Sequence, residues 1–226
     1  MIKKEGPLYL LLASQSPRRR ELLSFTGLGF DLASANVDES ILPDESPAKY
    51  VLRLAEAKAR ASARDAVDVQ VVIGSDTAVV DADEILGKPR DAREAESMLR
   101  QLRGRTHQVY TAIAIYSPED GALETELCIS DVPMREYDDA EMDTYIQSGD
   151  PMDKAGGYAI QNAGFHPVEN FSGCFASVMG LPICHTARAL EKAGVAVSAD
   201  MPQLCQSSLN YECTISPAVL RGEDLG

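Results

Sequence analysis

The chain has 226 residues, of which 45% are hydrophobic and 25% charged, and its formal net charge at pH 7 is −14. This apolar content is enough for a buried core, and the length suits one domain or two closely joined lobes. The negative charge argues against polymeric nucleic acid and anionic membranes as partners, because it would repel both. No apolar run approaches the roughly 20 residues that span a bilayer, so no membrane partner is expected.

The N-terminal segment and the cysteines bear on the compartment. The basic start, residues 1–7, is followed by an apolar run at residues 8–13 that is too short for a signal peptide. The five cysteines are odd in number, widely spaced and free of any C-x-x-C pair. This usage argues against a disulfide framework and against a zinc site. Together these features predict a cytoplasmic protein.

Predicted strands and helices alternate along the chain. Two helices start with Ser-Pro, at Ser16-Pro17 and Ser46-Pro47, which is typical of an N-cap followed by proline at the first helical position. Helices are predicted at 17–26, 47–64, 92–102, 138–147 and 182–193, and a long hairpin at 108–116 and 123–132. Further strands are predicted at 9–13, 30–35, 69–73, 78–80, 85–86, 156–161 and 175–179.

This alternation, with one antiparallel hairpin in the middle, predicts an α/β fold with a mixed central sheet flanked by helices. Residues 1–196 are expected to form a single domain. Beyond Gly194 the pattern fades into polar runs with two prolines, so residues 197–226 are predicted to be a partly mobile tail whose role the sequence does not give.

The first candidate site is the segment Ser14-Gln15-Ser16-Pro17-Arg18-Arg19, where a predicted strand passes into a helix. Free backbone N–H groups and the positive end of the helix dipole make such a start an anion site. Two arginines there oppose the dipole, and a bound phosphate would reverse that penalty. The alternative is a solvated charged helix start, with the arginines paired to Glu21.

The second candidate is Gly74-Ser75-Asp76-Thr77, which follows the apolar run 71–73. Placed at a strand end on a glycine-loosened turn, Asp76 is expected at the mouth of a cleft. There its carboxylate could hold a divalent cation, orient a water molecule or take the proton of that water. The alternative is an Asx-turn, in which Asp76 bonds its own backbone.

A third candidate is Lys58, which shares the predicted buried stripe of its helix with Val51 and Ala55. An inward lysine is costly unless it meets an anion, although it could also extend off the edge of the stripe. The loops 87–89 and 150–158 combine charge with glycine or proline, which suits either ligand binding or ordinary turns. Gln161 could read a base edge or satisfy a backbone group.

Several common motifs are absent from the sequence. There is no G-x-x-x-x-G-K-[ST] loop, no G-x-G-x-x-G after the first strand, no H-E-x-x-H and no G-x-S-x-G. These absences exclude a P-loop NTPase and leave a dinucleotide-binding Rossmann domain unsupported. The three histidines are scattered and form no pair with metal-ligand spacing.

The order of the remaining segments is more specific than any one of them. From about residue 8 to residue 194 the chain resembles the Maf family, through residues 12–23, 37–39, 57–59, 74–77, 86–89, 153–158 and 180–182. The resemblance implies an elongated central sheet and two lobes around a nucleotide-binding cleft. It also implies a cytoplasmic, often dimeric nucleoside triphosphate pyrophosphatase that uses a divalent metal cation (Mg or Mn), and hence a homodimer.

The resemblance assigns roles to individual residues. Asp76 matches the family's catalytic carboxylate, acting as base toward the attacking water. Positions that line the family's cleft and bind substrate are matched by Ser14, Arg18, Arg19, Lys58, Thr77, Lys88 and Gln161. The metal is assigned to Glu39, Asp76 and Asp153. In this reading the cations neutralise charge on the triphosphate while the carboxylates hold the metal and position the nucleophile.

The segment 157–161 is similar to the family branch that acts on dTTP and UTP. The chain departs from that branch at Asn162, where a glycine is usual, and within 165–172. Two alternatives to a pyrimidine nucleotide pyrophosphatase therefore stay open. One is the same reaction on a modified nucleotide such as 7-methyl-GTP, and the other is a nucleotide-binding regulator of septum formation with little turnover.

Overall fold

The computed structural model describes residues 9–34, 36–64, 66, 68–223 and 225–226. The strands are β1 (Leu10–Leu12), β2 (Phe30–Leu32), β3 (Val71–Asp81), β4 (Glu84–Leu86), β5 (Thr106–Tyr116) and β6 (Leu123–Pro133). The helices are α1 (Pro17–Ser24), α2 (Pro47–Ala63), α3 (Ala92–Leu102), α4 (Asp139–Gln147), α5 (Phe175–Met179), α6 (Ile183–Lys192), α7 (Met201–Leu209) and α8 (Ser216–Leu220). Two short 3₁₀ turns lie at Asp150–Asp153 and Ala155–Gly157.

The strands of the described part of the chain form one mixed sheet in the order β2-β1-β3-β5-β6, with β4 added beside β3. β1 runs parallel to both of its neighbours, β2 and β3. β3, β5 and β6 pair antiparallel, so the predicted hairpin is confirmed as β5 and β6. Because helices pack against this mixed sheet, the α/β fold class predicted from the sequence is also confirmed.

The two edges of β3 differ in how far other strands pair with them. β5 pairs along one edge from Val72 to Val80. On the other edge β1 pairs only with residues 71–73 and β4 only with residues 79–81. Among the described strands, none pairs with residues 74–78 on that edge. The sheet is therefore split there, and a split beside the carboxyl end of a parallel strand is where α/β sheets commonly bind ligands.

Helix α2 covers one face of the sheet and approaches it closely. Its small buried residues Val51, Ala55 and Ala59 pack against alternate residues of β3. A Cβ on Gly74 would overlap the carbonyl oxygen of Ala55. The glycine thus allows the helix backbone to reach the strand, which brings the side chains of α2 within reach of those of β3. The larger apolar cluster lies on the opposite face and includes residues of α1, α3, α5 and α6.

The predicted helix starts are confirmed in detail. The Ser16 hydroxyl accepts a hydrogen bond from the backbone N–H of Arg19, and Ser46 caps α2 in the same way, each with proline next in the chain. Asp138 and Glu141 form a capping box at the start of α4. These side chains satisfy backbone donors that a helix start leaves free.

Several strand predictions differ from the structure. The segments 69–73 and 78–80 are one continuous strand, β3, so residues 74–77 form no turn. The error came from reading Gly74 as a turn residue, whereas it serves the close approach of α2. Residues 156–161 form turns, and the apolar segment 175–179 is helix α5, ended by Gly180 at φ 113°. Short apolar runs do not distinguish a strand from a helix. The strand predicted at 30–35 ends at Leu32 in the structure, and its last residue lies outside the described residues.

The tail is more ordered than its sequence pattern predicts. It forms α7 and α8, and Met201 and Val219 are buried in the larger apolar cluster. The tail residues Val197, Ala199, Cys205, Leu209 and Ile215 pack against that cluster while partly buried. These scattered apolar side chains form too weak a pattern to recognise in the sequence. Within the described residues no helix is long and apolar enough to cross a membrane. The basic N-terminal start lies outside the described residues.

Candidate active site

A cleft of about 620 Å³ opens at the split in the sheet. It is bounded by the end of β1 and the start of α1, by the middle of β3, by the β4 region, and by residues 153–161 and 178–180. Every site residue predicted from the sequence lines this cleft: Ser14, Arg18, Arg19, Glu39, Lys58, Asp76, Thr77, Lys88, Asp153 and Gln161. The structure therefore brings together residues spread over almost 150 positions.

Asp76 pairs with β5 and lies in the stretch of β3 whose other edge has no partner strand among the described residues, with its side chain on the face that α2 covers. The Lys58 ammonium, from α2, donates to Asp76 Oδ1 at 2.6 Å and contacts Glu39 Oε1 at 2.7 Å. The Lys58 and Asp76 side chains are 11% and 9% exposed. Lys58 is thus an inward lysine, as one reading of the sequence proposed, and the anions that it meets in the structure are two carboxylates.

Burial and charge act in opposite directions on these carboxyl groups. Burial raises the pKa of Asp76 above its usual value, and the charges of Lys58 and Arg19 offset this only in part. Burial also tends to raise the pKa of Glu39, but the hydrogen bond and charge of Lys58 outweigh it and leave that pKa lowered. A raised pKa makes the Asp76 carboxylate a better proton acceptor than an exposed aspartate.

Arg19 is held in place from several sides. Its Nε donates to the carbonyl oxygen of Gly180 at 2.8 Å, and its Nη2 donates to Thr77 Oγ1 at 3.1 Å. Its Nη1 lies 3.5 Å from Ser14 Oγ. Ser75, on the same face of β3 as Thr77, also donates to the Gly180 carbonyl, at 2.9 Å. The guanidinium is therefore oriented before any ligand arrives.

Arg18 reaches the opposite wall of the cleft. Its Nη1 lies 3.4 Å from Asp153 Oδ2, so the structure pairs Arg18 with Asp153. The buried Lys154 ammonium donates to Asp153 Oδ1 at 2.6 Å and to the carbonyl and carboxylate of Asp150 at 2.6 and 3.0 Å. Burial tends to raise the pKa of Asp153, but Lys154 and Arg18 outweigh it and leave the pKa lowered.

Asp150 also fixes the turn that carries Gln161. Its Oδ2 accepts hydrogen bonds from the Tyr145 hydroxyl at 2.7 Å and from Asn162 Nδ2 at 3.1 Å. Asn162 Oδ1 in turn accepts from the Phe165 backbone at 2.8 Å. These bonds hold Asn162, the residue after Gln161, against the wall of the cleft.

The three carboxylates predicted as metal ligands do not form one cluster. Among the described residues there is no group of three His, Cys, Asp or Glu side chains placed to hold a metal ion. Glu39 and Asp76 converge on Lys58, whereas Asp153 is held by Arg18 and Lys154 on the other wall. The structure thus brings together two of the three predicted ligands.

Among the cleft residues to which the sequence assigned no role, three hold or complete the site. Lys154 completes the charged wall, Tyr158 forms part of it, and the Tyr50 hydroxyl donates to the carbonyl of Glu39 at 3.0 Å, which holds the Glu39 loop. Lys154 lies in the loop 150–158, which the sequence marks as a candidate ligand-binding loop. Its position beside Asp153 could have identified it as a cleft residue. The described lining thus has five cationic side chains and three carboxylates: Arg18, Arg19, Lys58, Lys88 and Lys154, with Glu39, Asp76 and Asp153.

Comparison with known protein families finds one whose model matches most of this sequence. The family model described as Maf-like protein matches residues 9–193. The chain belongs to the Maf-like family. Its matched region contains every residue of the cleft, and the match ends just after α6, so the tail lies outside it.

Among Maf-like relatives, the dTTP/UTP pyrophosphatase of Anaeromyxobacter dehalogenans is 46% identical over 196 residues, covering 85% of this chain and 98% of the relative. The dTTP/UTP pyrophosphatase of Hahella chejuensis is 44% identical over 197 residues, covering 86% and 97%. A solved structure, a dITP/XTP pyrophosphatase of Mycobacterium abscessus, overlaps only partly. It has 19% identity and a TM-score of 0.36, covering 56% of this chain and 74% of that one.

Proposed function

We propose that this Maf-like protein is a nucleoside triphosphate pyrophosphatase that hydrolyses dTTP and UTP to the monophosphate and pyrophosphate. The observation that carries the proposal is the buried Asp76 carboxylate in a cleft lined with arginine and lysine. A proton acceptor beside a site for a polyanion is what attack of water on a triphosphate requires. The relatives that carry the name dTTP/UTP pyrophosphatase support the same reaction.

In the proposed reaction Asp76 takes a proton from the attacking water. The water oxygen forms a bond to the α-phosphorus, and the bond from that phosphorus to the bridging oxygen breaks, releasing pyrophosphate. Arg18 and Arg19, at the start of α1, would bind phosphate oxygens and offset the charge that develops on the leaving group. Lys58 would keep the Asp76 carboxylate ionised and fixed in position.

The carboxylates present suit a divalent cation that is shared with the substrate. Mg²⁺ is commonly held by one or two carboxylates together with substrate phosphates, and Glu39 and Asp76 are two carboxylates that converge on one point. Bound there, Mg²⁺ or Mn²⁺ would polarise phosphoryl oxygens as a Lewis acid. In this scheme Asp153 forms ion pairs with Arg18 and Lys154 and is not a metal ligand.

The base preference is assigned to Gln161. Its side-chain amide has donors and an acceptor, which can pair with the O4 and N3 edge of uracil or thymine. The bond between Asn162 and Asp150 supports this assignment, because it restrains the turn on which Gln161 lies. A residue on a restrained turn loses less conformational entropy when the base binds.

The remaining expectations concern the cellular compartment and the oligomeric state. The five cysteines are all free, which supports a reducing compartment and hence the cytoplasm. The homodimer stays a prediction that rests on the family resemblance.

The decisive experiment is pyrophosphate release from dTTP, UTP, ATP, GTP and 7-methyl-GTP, with Mg²⁺ or Mn²⁺ and with identification of both products. We expect dTTP and UTP to have the highest kcat/KM and to give monophosphate and pyrophosphate. Faster turnover of 7-methyl-GTP would favour the modified-nucleotide alternative, and tight binding without turnover would favour the regulator of septum formation. A sample with Asp76→Asn, purified identically, controls for contaminating phosphatases.

A further inference from the structure

The tail beyond the family match is part of the folded body. The match ends at residue 193, yet Met201 and Val219 are only 3% and 1% exposed. Arg188 of α6 donates to the carbonyl oxygens of Val219 and Glu223, both at 3.0 Å. These contacts dock α7 and α8 against α6, and they place the loop between α7 and α8 beside the segment that leads into α5.

Tyr211, in that loop, contacts this segment directly. Its hydroxyl donates to the Gly173 carbonyl at 3.0 Å, and the Phe171 carbonyl lies at 3.4 Å. The Tyr211 ring centroid lies 5.6 Å from that of Phe171 and 5.2 Å from that of Phe175, the first residue of α5. Aromatic pairs at such distances contribute beyond the area that they bury.

Helix α5 leads from Tyr211 to the cleft. It has five residues, and so short a helix depends on packing for its stability. Its last turn and the residue after it, Val178, Met179 and Gly180, line the cleft. The Gly180 carbonyl is the acceptor that holds Arg19 Nε at 2.8 Å. A shift of α5 would therefore move the acceptor that orients Arg19.

We propose that the tail positions Arg19 for phosphate binding, with Tyr211 as the positioning residue that acts through α5 and the Gly180 carbonyl. The inference rests on the proposed function, because Arg19 is given its phosphate role there. It assigns residues outside the family match to the working active site. It also gives the tail a role in substrate affinity and none in the proton transfer at Asp76.

The test is a double-mutant cycle on dTTP hydrolysis with Tyr211→Ala and Arg19→Ala. Tyr211→Ala should raise KM about fivefold to tenfold, within the range of coupling between residues of one network, and change kcat less. In the Arg19→Ala background the same substitution should leave KM unchanged, because the group that it positions is gone. General destabilisation would instead lower activity equally in both backgrounds.

Val219→Ala is the matched control, since it removes a buried side chain of the tail on α8 and leaves the Tyr211 ring and hydroxyl in place. It should lower thermal stability and leave KM unchanged. The inference would be overturned if Tyr211→Ala raised KM equally in the wild-type and Arg19→Ala backgrounds. It would also be overturned if Val219→Ala raised KM as much as Tyr211→Ala does.

If Tyr211→Ala does not fold, Tyr211→Phe enters the cycle, since it keeps the ring and loses only the bonds to the two carbonyls. A smaller KM rise that again depends on Arg19 would support the proposal, and an unchanged KM would overturn it. Wild-type turnover is measured first: if no triphosphate releases pyrophosphate, the proposed function itself fails, and this inference fails with it.

Discussion

Asp76 and Asp81 lie on one strand and are both buried, but their surroundings differ. Asp76 faces the cleft beside Lys58 and Glu39. Asp81, at the end of β3, accepts hydrogen bonds from Arg105 and Gln101, both at 3.0 Å, and does not line the cleft. The two residues therefore separate the effect of a buried charge from the effect of a charge at the proposed reaction centre.

Asp76→Asn keeps the size of the side chain and removes the proton acceptor. Turnover of dTTP should fall by at least about a hundredfold, the lower end expected for loss of a general base. Binding of a non-hydrolysable triphosphate should persist or tighten, because one negative charge facing the phosphates is gone. The measurements are pyrophosphate release with excess Mg²⁺ and calorimetric binding of the analogue.

Asp81→Asn is the control for that experiment. It disturbs the ion pair between Asp81, buried on the same strand, and the half-exposed Arg105, so it should lower stability while kcat stays within a few-fold of wild type. Near-wild-type turnover of Asp76→Asn would show that Asp76 is not the base. Glu39 would then be the first candidate, since it shares Lys58 with Asp76.

At the scale of elements, the contact between α2 and β3 connects packing to chemistry. Gly74→Ala places a methyl group against the backbone of α2 at Ala55 and Ala59. Because the obstructing atoms are largely backbone, the helix itself must move, and Lys58 moves with it. We expect a loss of stability of about 1–3 kcal/mol, as for overpacked cores, together with a lower kcat.

Two measurements check this prediction: urea unfolding for stability and pyrophosphate release for kcat. Ala78→Gly, on the same face of β3 and two residues past Asp76, is the comparison. It should also destabilise the strand, but it introduces no overlap with α2. If Gly74→Ala kept full turnover, the position of α2 would not control Lys58.

The sequence predicted those elements whose ends carry their own signals. Ser16-Pro17, Ser46-Pro47 and Asp138 marked helix starts correctly, because capping is local. Helix α5 and the turns at 156–161 were predicted as strands, because their conformations depend on contacts with distant segments. The role of Gly74 was misread for the same reason, since the helix that it accommodates ends eleven residues earlier in the chain.

The candidate site was predictable as a set of residues but not as a set of contacts. The order of motifs identified Asp76, Lys58 and Arg18. It could not pair Arg18 with Asp153, which lies 135 positions away. Nor could it show that Lys58 meets carboxylates or that Lys154 neutralises the far wall. Those facts depend on the split in the sheet, which exists only once β1 and β4 have paired with β3.

At the scale of the whole molecule, His107 links stability to pH. It is 2% exposed on β5, and its Nε2 lies 2.7 Å from the Tyr158 hydroxyl. Within the described residues its Nδ1 has no hydrogen-bond partner. Burial lowers the pKa of His107 to about 4 from an ordinary value of 6.5. Between these two pKa values the unfolded chain binds a proton that the folded protein excludes, so stability falls as the pH decreases.

This linkage predicts that His107 accounts for a loss of about 2 kcal/mol in unfolding free energy between pH 7 and pH 5. His107→Gln keeps a hydrogen-bonding group toward Tyr158 and cannot titrate. Its unfolding free energy should therefore fall by about 2 kcal/mol less than that of the wild type between pH 7 and pH 5. Urea unfolding of both proteins at the two pH values measures the difference. His166→Asn, which replaces an exposed histidine, is measured alongside as the control. Parallel curves for wild type and His107→Gln would contradict the assignment.

The five cations and three carboxylates of the cleft form a locally positive region in a chain of net charge −14. A triphosphate approaching from solution therefore meets repulsion at long range and attraction only near the opening. Salt screens the long-range part first, since the screening length shrinks from about 30 Å at 0.01 M to about 10 Å at 0.1 M and about 3 Å at 1 M. The rate of productive encounter, measured as kcat/KM, should thus rise with the first additions of KCl and decline at higher concentration. A steady fall from the lowest salt would mean that the cleft already dominates the field at a distance.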